Sequence, residues 1–409
     1  MSNTGTQRRP IIIIPPSPRT RPRRVKRNSG YKGPRPLALM LALLTLIALV
    51  HLLIVTHQTT TPTSAPAANC ANLIRSTDFT QSVGLQTATE QMAALEFVNQ
   101  LDGGQPAALA QVTHNDAQHT LDVYIFGCSM RARKPQLTTL FAQRGLLQGT
   151  VEVSQANTLI TGAIDTTITP DASAFLLPLQ QNIYREYTWQ NGAFRQVAFP
   201  GVYPVTSRAE AEALQQDADN GQALPWSDPL ATAEELSRDI FKWQVVDVQD
   251  TVLSNDGINA QVELFQANPH LVVDVTLQRL LQHDKKGLWF AVAAHSSGIT
   301  LGLDGQNRTT LPKNISTQAL LHAPIQLSGT SVLADGKTSA TLFDHTLTPI
   351  SSATNISLQV NADGTYTGSL KYSGIIPDQQ GLLLIQSLPL ASNNKVESGQ
   401  LLLVPALLE

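Results

Sequence analysis

Cys70 and Cys128 are the only thiols in the chain. In an oxidising compartment they pair, clamping the start of the first folded region to a strand; the alternative is two free, buried thiols. Closing a loop of nearly sixty residues contributes about 4 kcal/mol in the chain-entropy description. No CxxC or Cys/His spacing points to a metal. The densest set of ligand-type side chains is His114, Asp116, His119 and Asp122. On an extended strand His114 and Asp116 share a face, and a turn between Asn115 and Gln118 returns His119 opposite them. HExxH spacing is absent and the set falls in an expected solvent-exposed hairpin, so no metal is expected.

Other chemistry-bearing residues read as structural. His295 stands beside Ser296 and Ser297, but no GxSxG elbow or SxxK frames them, and neighbours on a strand point to opposite faces. Asp217, Asp219 and Gly221 resemble half a calcium loop, yet Gly221 sits where a ligand is required, so a helix end is expected. Asp102-Gly-Gly and Gly302-Leu-Asp-Gly305 read as turns rather than phosphate loops. Of the four tryptophans, Trp243 and Trp289 suit core positions, and Trp226, between Pro225 and Ser227, is the candidate for an exposed contact, with a core position still the favoured reading. No catalytic, cofactor-binding or metal-binding residue is assigned, and no cofactor or small-molecule substrate is expected.

Residues 37–55, LALMLALLTLIALVHLLIV, form an apolar run without a charge. At 1.5 Å per residue, nineteen residues reach roughly 28 Å, the thickness of a bilayer's hydrocarbon. Ten Lys or Arg precede the run and no acid precedes residue 56, leaving 18 basic against 31 acidic residues beyond it, a net −13. The positive-inside tendency then predicts a cytoplasmic N-terminus and an extracellular bulk. The acidic bulk argues against nucleic acid as a partner. The run exceeds a usual signal-peptide core, and Asn69 before Cys70 makes a poor lipidation site, so an uncleaved signal anchor is expected.

Around that anchor the chain divides into a basic, disordered tail (1–36), the transmembrane segment (37–55), a Thr/Pro/Ala stalk (56–69) and three folded regions. Region 70–200 opens with an expected helix, since Leu85, Met92, Leu95, Phe97, Val98 and Leu101 recur at helical spacing before Asp102-Gly103-Gly104. Strands follow, with an alternating Leu121–Phe126 run, Thr150–Ser154, and a hairpin turning at Asn191-Gly192. Region 201–305 carries a helix capped by Ser207 with Glu210, another starting at Asp228-Pro229, then strand-like runs 244–253, 258–266, 271–281 and 287–294. Helices before an antiparallel meander suit a cystatin- or NTF2-like layer. Region 318–409 holds six short strands, Ile325–Thr330, Lys337–Phe343, Asn355–Val360, Tyr366–Tyr372, Gly381–Leu388 and Gly399–Val404, which read as a β-sandwich. The expected fold is an α+β extracytoplasmic region and a C-terminal all-β sandwich, after one transmembrane helix.

Ala323-Pro-Ile-Gln-Leu-Ser-Gly-Thr-Ser331, Gly364-Thr-Tyr-Thr-Gly-Ser-Leu-Lys-Tyr372, Gly381-Leu-Leu-Leu-Ile and Leu401-Leu-Leu-Val-Pro405 resemble the immunoglobulin-like domain of bacterial spore germination proteins. The resemblance covers about 90 of 409 residues. Val205-Thr-Ser-Arg-Ala-Glu-Ala-Glu-Ala213, Leu224-Pro-Trp-Ser-Asp-Pro-Leu230 and Gly287-Leu-Trp-Phe290 resemble ectodomain pieces that precede this module in Gram-positive-type bacterial membrane proteins and lipoproteins. The resemblance implies an envelope protein of a spore-forming or filamentous bacterium, and it implies no catalytic residues.

The expected role is therefore non-catalytic binding or assembly at the cell membrane, with a protein or cell-wall partner and a link to sporulation or germination. A transmembrane signalling or complex-assembly subunit is the alternative. A wall hydrolase ranks below both, because no paired carboxylates or triad spacing is visible.

Overall fold

The computed structural model describes residues 65–131, 134–168, 178–244, 248–267, 270–303, 319–333, 336–389 and 398–408. The basic tail, the apolar run and residues 56–64 of the expected stalk lie outside the described residues. Among the described residues no helix is long and apolar enough to cross a membrane. The described residues fold as one compact, mostly β unit.

Helix α1 (Ala65–Ser76) begins within the expected stalk, so the unstructured reading of residues 65–69 is corrected. After it comes α2 (Phe79–Val83), capped by Asp78. A larger correction concerns the expected helix over 85–101. Met92, Leu95, Phe97, Val98 and Leu101 lie instead on strand β1 (Glu90–Asp102), paired antiparallel with β2 (Gln105–His114). Asp102-Gly103-Gly104 is not a helix stop. Both glycines have positive φ, 55° and 86°, and Asp102 pairs with Gln105, which makes a two-residue hairpin turn. A register shift between Met92 and Ala94 adds a residue to β1 and blurs its period of two into something near helical spacing.

β3 (Leu121–Arg131) and β4 (Lys134–Leu146) complete a meander ordered β1-β2-β3-β4. Ile74 and Phe79 cover one face over Ala108, Ala110, Tyr124 and Phe126. The other face, Leu109, Val123 and Ile125, packs on a second sheet ordered β5 (Thr150–Val153), β6 (Leu159–Ile164), β7 (Asn182–Gln190) and β8 (Ala193–Val197). Phe141 bridges the sheets, its ring 4.8 Å from Tyr187 and 5.6 Å from Phe194. Because β3 is covered on both sides, Leu121 to Gly127 are all buried, on both faces of the alternation. The β7–β8 hairpin turns at Asn191 and Gly192, with φ of 51° and 80°, as its sequence predicts.

Next come α3 (Arg208–Asp219) and α4 (Pro229–Asp239), capped by Ser207 and Asp228 at the expected positions. β9 (Val248–Asn255), β10 (Asn259–Ala267), β11 (His270–Gln278) and β12 (Phe290–His295) form the expected antiparallel meander. The C-terminal strands are β13 (Ile299–Leu303), β14 (Ala319–Leu321), β15 (Ile325–Ser331), β16 (Lys337–Phe343), β17 (Ile356–Val360), β18 (Thr365–Leu370), β19 (Gln379–Leu388) and β20 (Gln400–Leu408).

Regions 201–305 and 318–409 share one sheet, because β12 pairs with β20 and β13 pairs with β15. Leu382, Leu384, Leu401 and Leu403 face the core holding Trp243, Trp289 and Leu236. Leu383, Ile385, Leu402 and Val404 face a second core around Ile325, Leu342 and Tyr366. A fully buried aliphatic side chain is worth about 1.5–3 kcal/mol, so a strand pair buried on both faces is the energetic centre of the unit. Hence its continuous apolar runs.

Candidate binding cleft

Helix α3 needs an acidic residue in its first turn, and Glu210 supplies it. The Ser207 hydroxyl accepts from the Glu210 amide at 3.3 Å and donates to Glu210 Oε2 at 2.6 Å. The same geometry places Glu210 against the turn that follows β16, where it is only 4% exposed. Burial pushes its carboxyl up to about 7, with the Ser207 bonds and His345 pulling the other way. Seven residues on, Asp217 lies on the same face of α3.

These two carboxyl groups line a cleft of about 550 Å³ between α3, the end of α4, the Pro225–Ser227 turn and the connection after β16. Its apolar wall includes Leu214, Ile240 and Leu347. Tyr203 and Trp226 form an aromatic side. The Tyr203 hydroxyl donates to Asp239 Oδ2 at 2.7 Å. Burial, then that hydrogen bond and the Asp239 charge, hold the phenol well above its usual range. The Trp226 indole N–H lies near the phenol and opposes this shift, but it makes no hydrogen bond of good geometry. Lys242 and Leu347 both line the cleft with φ near 60°. Left-handed backbone at a lysine and a leucine is costly and persists only where the surroundings enforce it. At Leu347 the enforcement is visible, since Asp344 Oδ1 accepts from the amides of Thr346 and Thr348.

Charge across the cleft is one-sided. Among the described residues of its lining, Glu210, Asp217 and Asp239 face Lys242 as the one basic side chain. A second cleft of about 710 Å³ lies on the other side of α3, shares Leu179 and Ala213, and holds Glu152, Glu212 and Asp219 with no basic side chain among the described residues of its lining. Burial pushes Glu152 and Glu212 upward as well.

The structure disperses the residues singled out in the sequence. Cys70 and Cys128 are bonded, with Cα atoms 5.5 Å apart, and tie α1 to β3 rather than to the cleft. Trp226, the candidate exposed contact, is half-buried. It packs on two apolar cores, and its carbonyl accepts from the Trp289 amide at 2.8 Å. It nevertheless forms part of the cleft wall.

The histidine–aspartate set separates into two local structures. His114 approaches Glu90 at 3.7 Å and Asp122 at 3.4 Å, while Asp116 folds onto its own loop and accepts from Thr120 Oγ1 at 2.7 Å. Among the described residues no group of three or more His, Cys, Asp or Glu is arranged to hold a metal. The Ser296 hydroxyl donates to the Val272 carbonyl and accepts from the Leu401 amide, while His295 is exposed. Sequence reasoning missed Tyr203, Lys242 and Leu347 and took Glu210 only as a capping partner. The comparisons with known protein families and with curated proteins give no match.

Proposed function

We propose that the chain is a single-pass, membrane-anchored extracytoplasmic protein whose folded unit binds an envelope partner without performing chemistry on it. The observation that carries the reading is the Tyr203–Trp226 cleft. It is concave and apolar-walled, and internal bonds fix two of its polar groups in place, Tyr203 to Asp239 and Glu210 to Ser207. Such groups position and select a ligand. Support for the anchor comes from the uncharged run 37–55 and its ten preceding cations. In the finer fold reading, β13 to β20 form an immunoglobulin-like sandwich of the kind found in spore germination proteins, which favours an envelope role. A protein partner is favoured by β9, which ends the large sheet with Val252 and Leu253 exposed and offers an edge for strand pairing.

The test is co-purification from solubilised envelope with the full chain, a chain lacking residues 1–36, and the Trp226→Ala chain. Binding through the cleft is retained without the tail and lost with Trp226→Ala. A partner lost only with the tail supports the signalling-subunit reading instead.

A further inference from the structure

The cleft has a chemical preference that a generic binding role does not specify. Its floor is apolar, its side wall is two aromatic rings, and its carboxyl groups sit at two depths. Glu210 lies at the buried end, whereas Asp217 and Asp239 are exposed at the rim. Lys242 is the single cation among the described residues of the lining and is exposed. Carboxylate oxygens accept and do not donate, and the faces of indole and phenol rings attract cations. A ligand anion would meet three acidic groups and one basic one. A purely apolar ligand would add no partner to the Ser207 hydroxyl that already donates to the Glu210 carboxyl.

We propose that the cleft takes a cationic nitrogen, ammonium or guanidinium, on a short apolar stem, with the stem against Trp226 and Leu347 and the charge directed to Glu210. The chemistry is shared by a free amine and by a lysine or arginine side chain of a partner. The proposal rests on the binding role given above and adds the ligand class.

The pH behaviour follows from the groups around Glu210. Ser207 on the cap of α3 donates to it, and His345, itself paired with Asp165, lies behind it. Tyr184 of β7 is near enough for its phenol to feel the Glu210 charge. Asp217, Asp239 and Lys242 stand at the rim. With the free carboxyl titrating near 7, a cationic ligand binds the deprotonated form. Affinity therefore rises as pH goes from about 6 to about 8 and then levels.

Titration calorimetry on the full chain in lipid nanodiscs, with empty nanodiscs as blank, tests this with phenethylamine, 2-phenylethanol and 3-phenylpropionate. A lysine-containing peptide and its norleucine counterpart separate a side-chain source from a free amine. The expected result is at least ten-fold tighter binding of the ammonium member of either pair at pH 8. That preference shrinks at pH 6 and disappears in Glu210→Gln. The exposed rim variant Asp217→Asn weakens it by a smaller factor and decides the matter if Glu210→Gln does not fold. Equal binding of alcohol and amine overturns the ligand class and leaves the cleft as a binding site. Tighter binding of the carboxylate, or no binding by either cationic probe, overturns the proposal, and Trp226-dependent co-purification then still stands or falls on its own.

Discussion

His345 Nε2 lies 3.0 Å from Asp165 Oδ2, with the two side chains only 5% and 4% exposed. The pair joins the loop after β6 to the connection after β16, and the neighbouring Thr206 hydroxyl donates to the His345 carbonyl at 3.1 Å. Three stretches of chain that are far apart in sequence are thus fixed behind the cleft. Burial pushes the Asp165 carboxyl up, but hydrogen bonds from His345 and Thr167 outweigh it and hold the group below its ordinary value. Removing one partner of a buried pair leaves an uncompensated charge, at a cost of about 3–5 kcal/mol. His345→Ala is expected to lose that much stability in urea, and the double change with Asp165→Leu less. Because the Asp165 value is depressed, its stabilisation is complete above pH 3.8 and disappears as pH falls through the folded-state value.

Glu210 has the opposite sign. Its carboxyl is raised from 4.5 to about 7, so between those values the unfolded chain has released a proton that the folded chain retains. Stability contributed by this group is present below pH 4.5 and is lost as pH rises to 7, by about 3 kcal/mol. Glu234, raised by its hydrogen bond to Asp250 and then by burial, adds a trend of the same sign. The difference between the native chain and Glu210→Gln isolates Glu210. That difference should move in favour of Gln by about 3 kcal/mol from pH 4.5 to 8 in denaturant titrations.

The Cys70–Cys128 bond closes a separation of 58 residues. Loop closure of that length is worth about 4 kcal/mol in the chain-entropy description. The double Ser variant should lose up to that amount, and reductant should destabilise the native chain while leaving the variant unchanged. Amide exchange should rise first in α1, which the bond holds onto β3.

Gly329 on β15 sits where a methyl group would run into the Thr300 carbonyl oxygen and the Tyr366 phenol. The Tyr366 hydroxyl donates to that carbonyl at 2.5 Å, crossing the glycine between β13 and β18. Gly329→Ala is expected to cost roughly 1–3 kcal/mol or more by overpacking. Tyr366→Phe removes one hydrogen bond and should cost about 1 kcal/mol. Thermal melts of the two variants give the order directly.

Local rules explain what was legible in the sequence. Asn191-Gly192 announces its hairpin because both positions require positive φ, and Ser207 with Glu210 announces a helix start because the reciprocal bonds span three residues. Lys337–Phe343 is found at its full extent. Asp102-Gly103-Gly104 carries the same turn chemistry as Asn191-Gly192 but follows a bulged strand whose apolar residues fall near helical spacing, so it reads as a helix stop. The Leu382–Ile385 and Leu401–Val404 runs hold the clue to a sheet buried on both faces. The pairing of the second run with β12 is not visible, because β12 lies about a hundred residues earlier. Nothing local marks the cleft. Tyr203, Glu210, Ile240 and Leu347 converge only through α3, α4 and a turn more than a hundred residues further on, and Trp226 was noticed for its loop rather than for the wall it forms.

The central claim, a folded unit held outside the membrane by the apolar run 37–55, is tested most directly by adding protease to intact cells and blotting for each end of the chain. Digestion of Ser64–Glu409 with survival of a basic N-terminal fragment is the predicted result. A protected C-terminal unit with a digested N-terminus would contradict it.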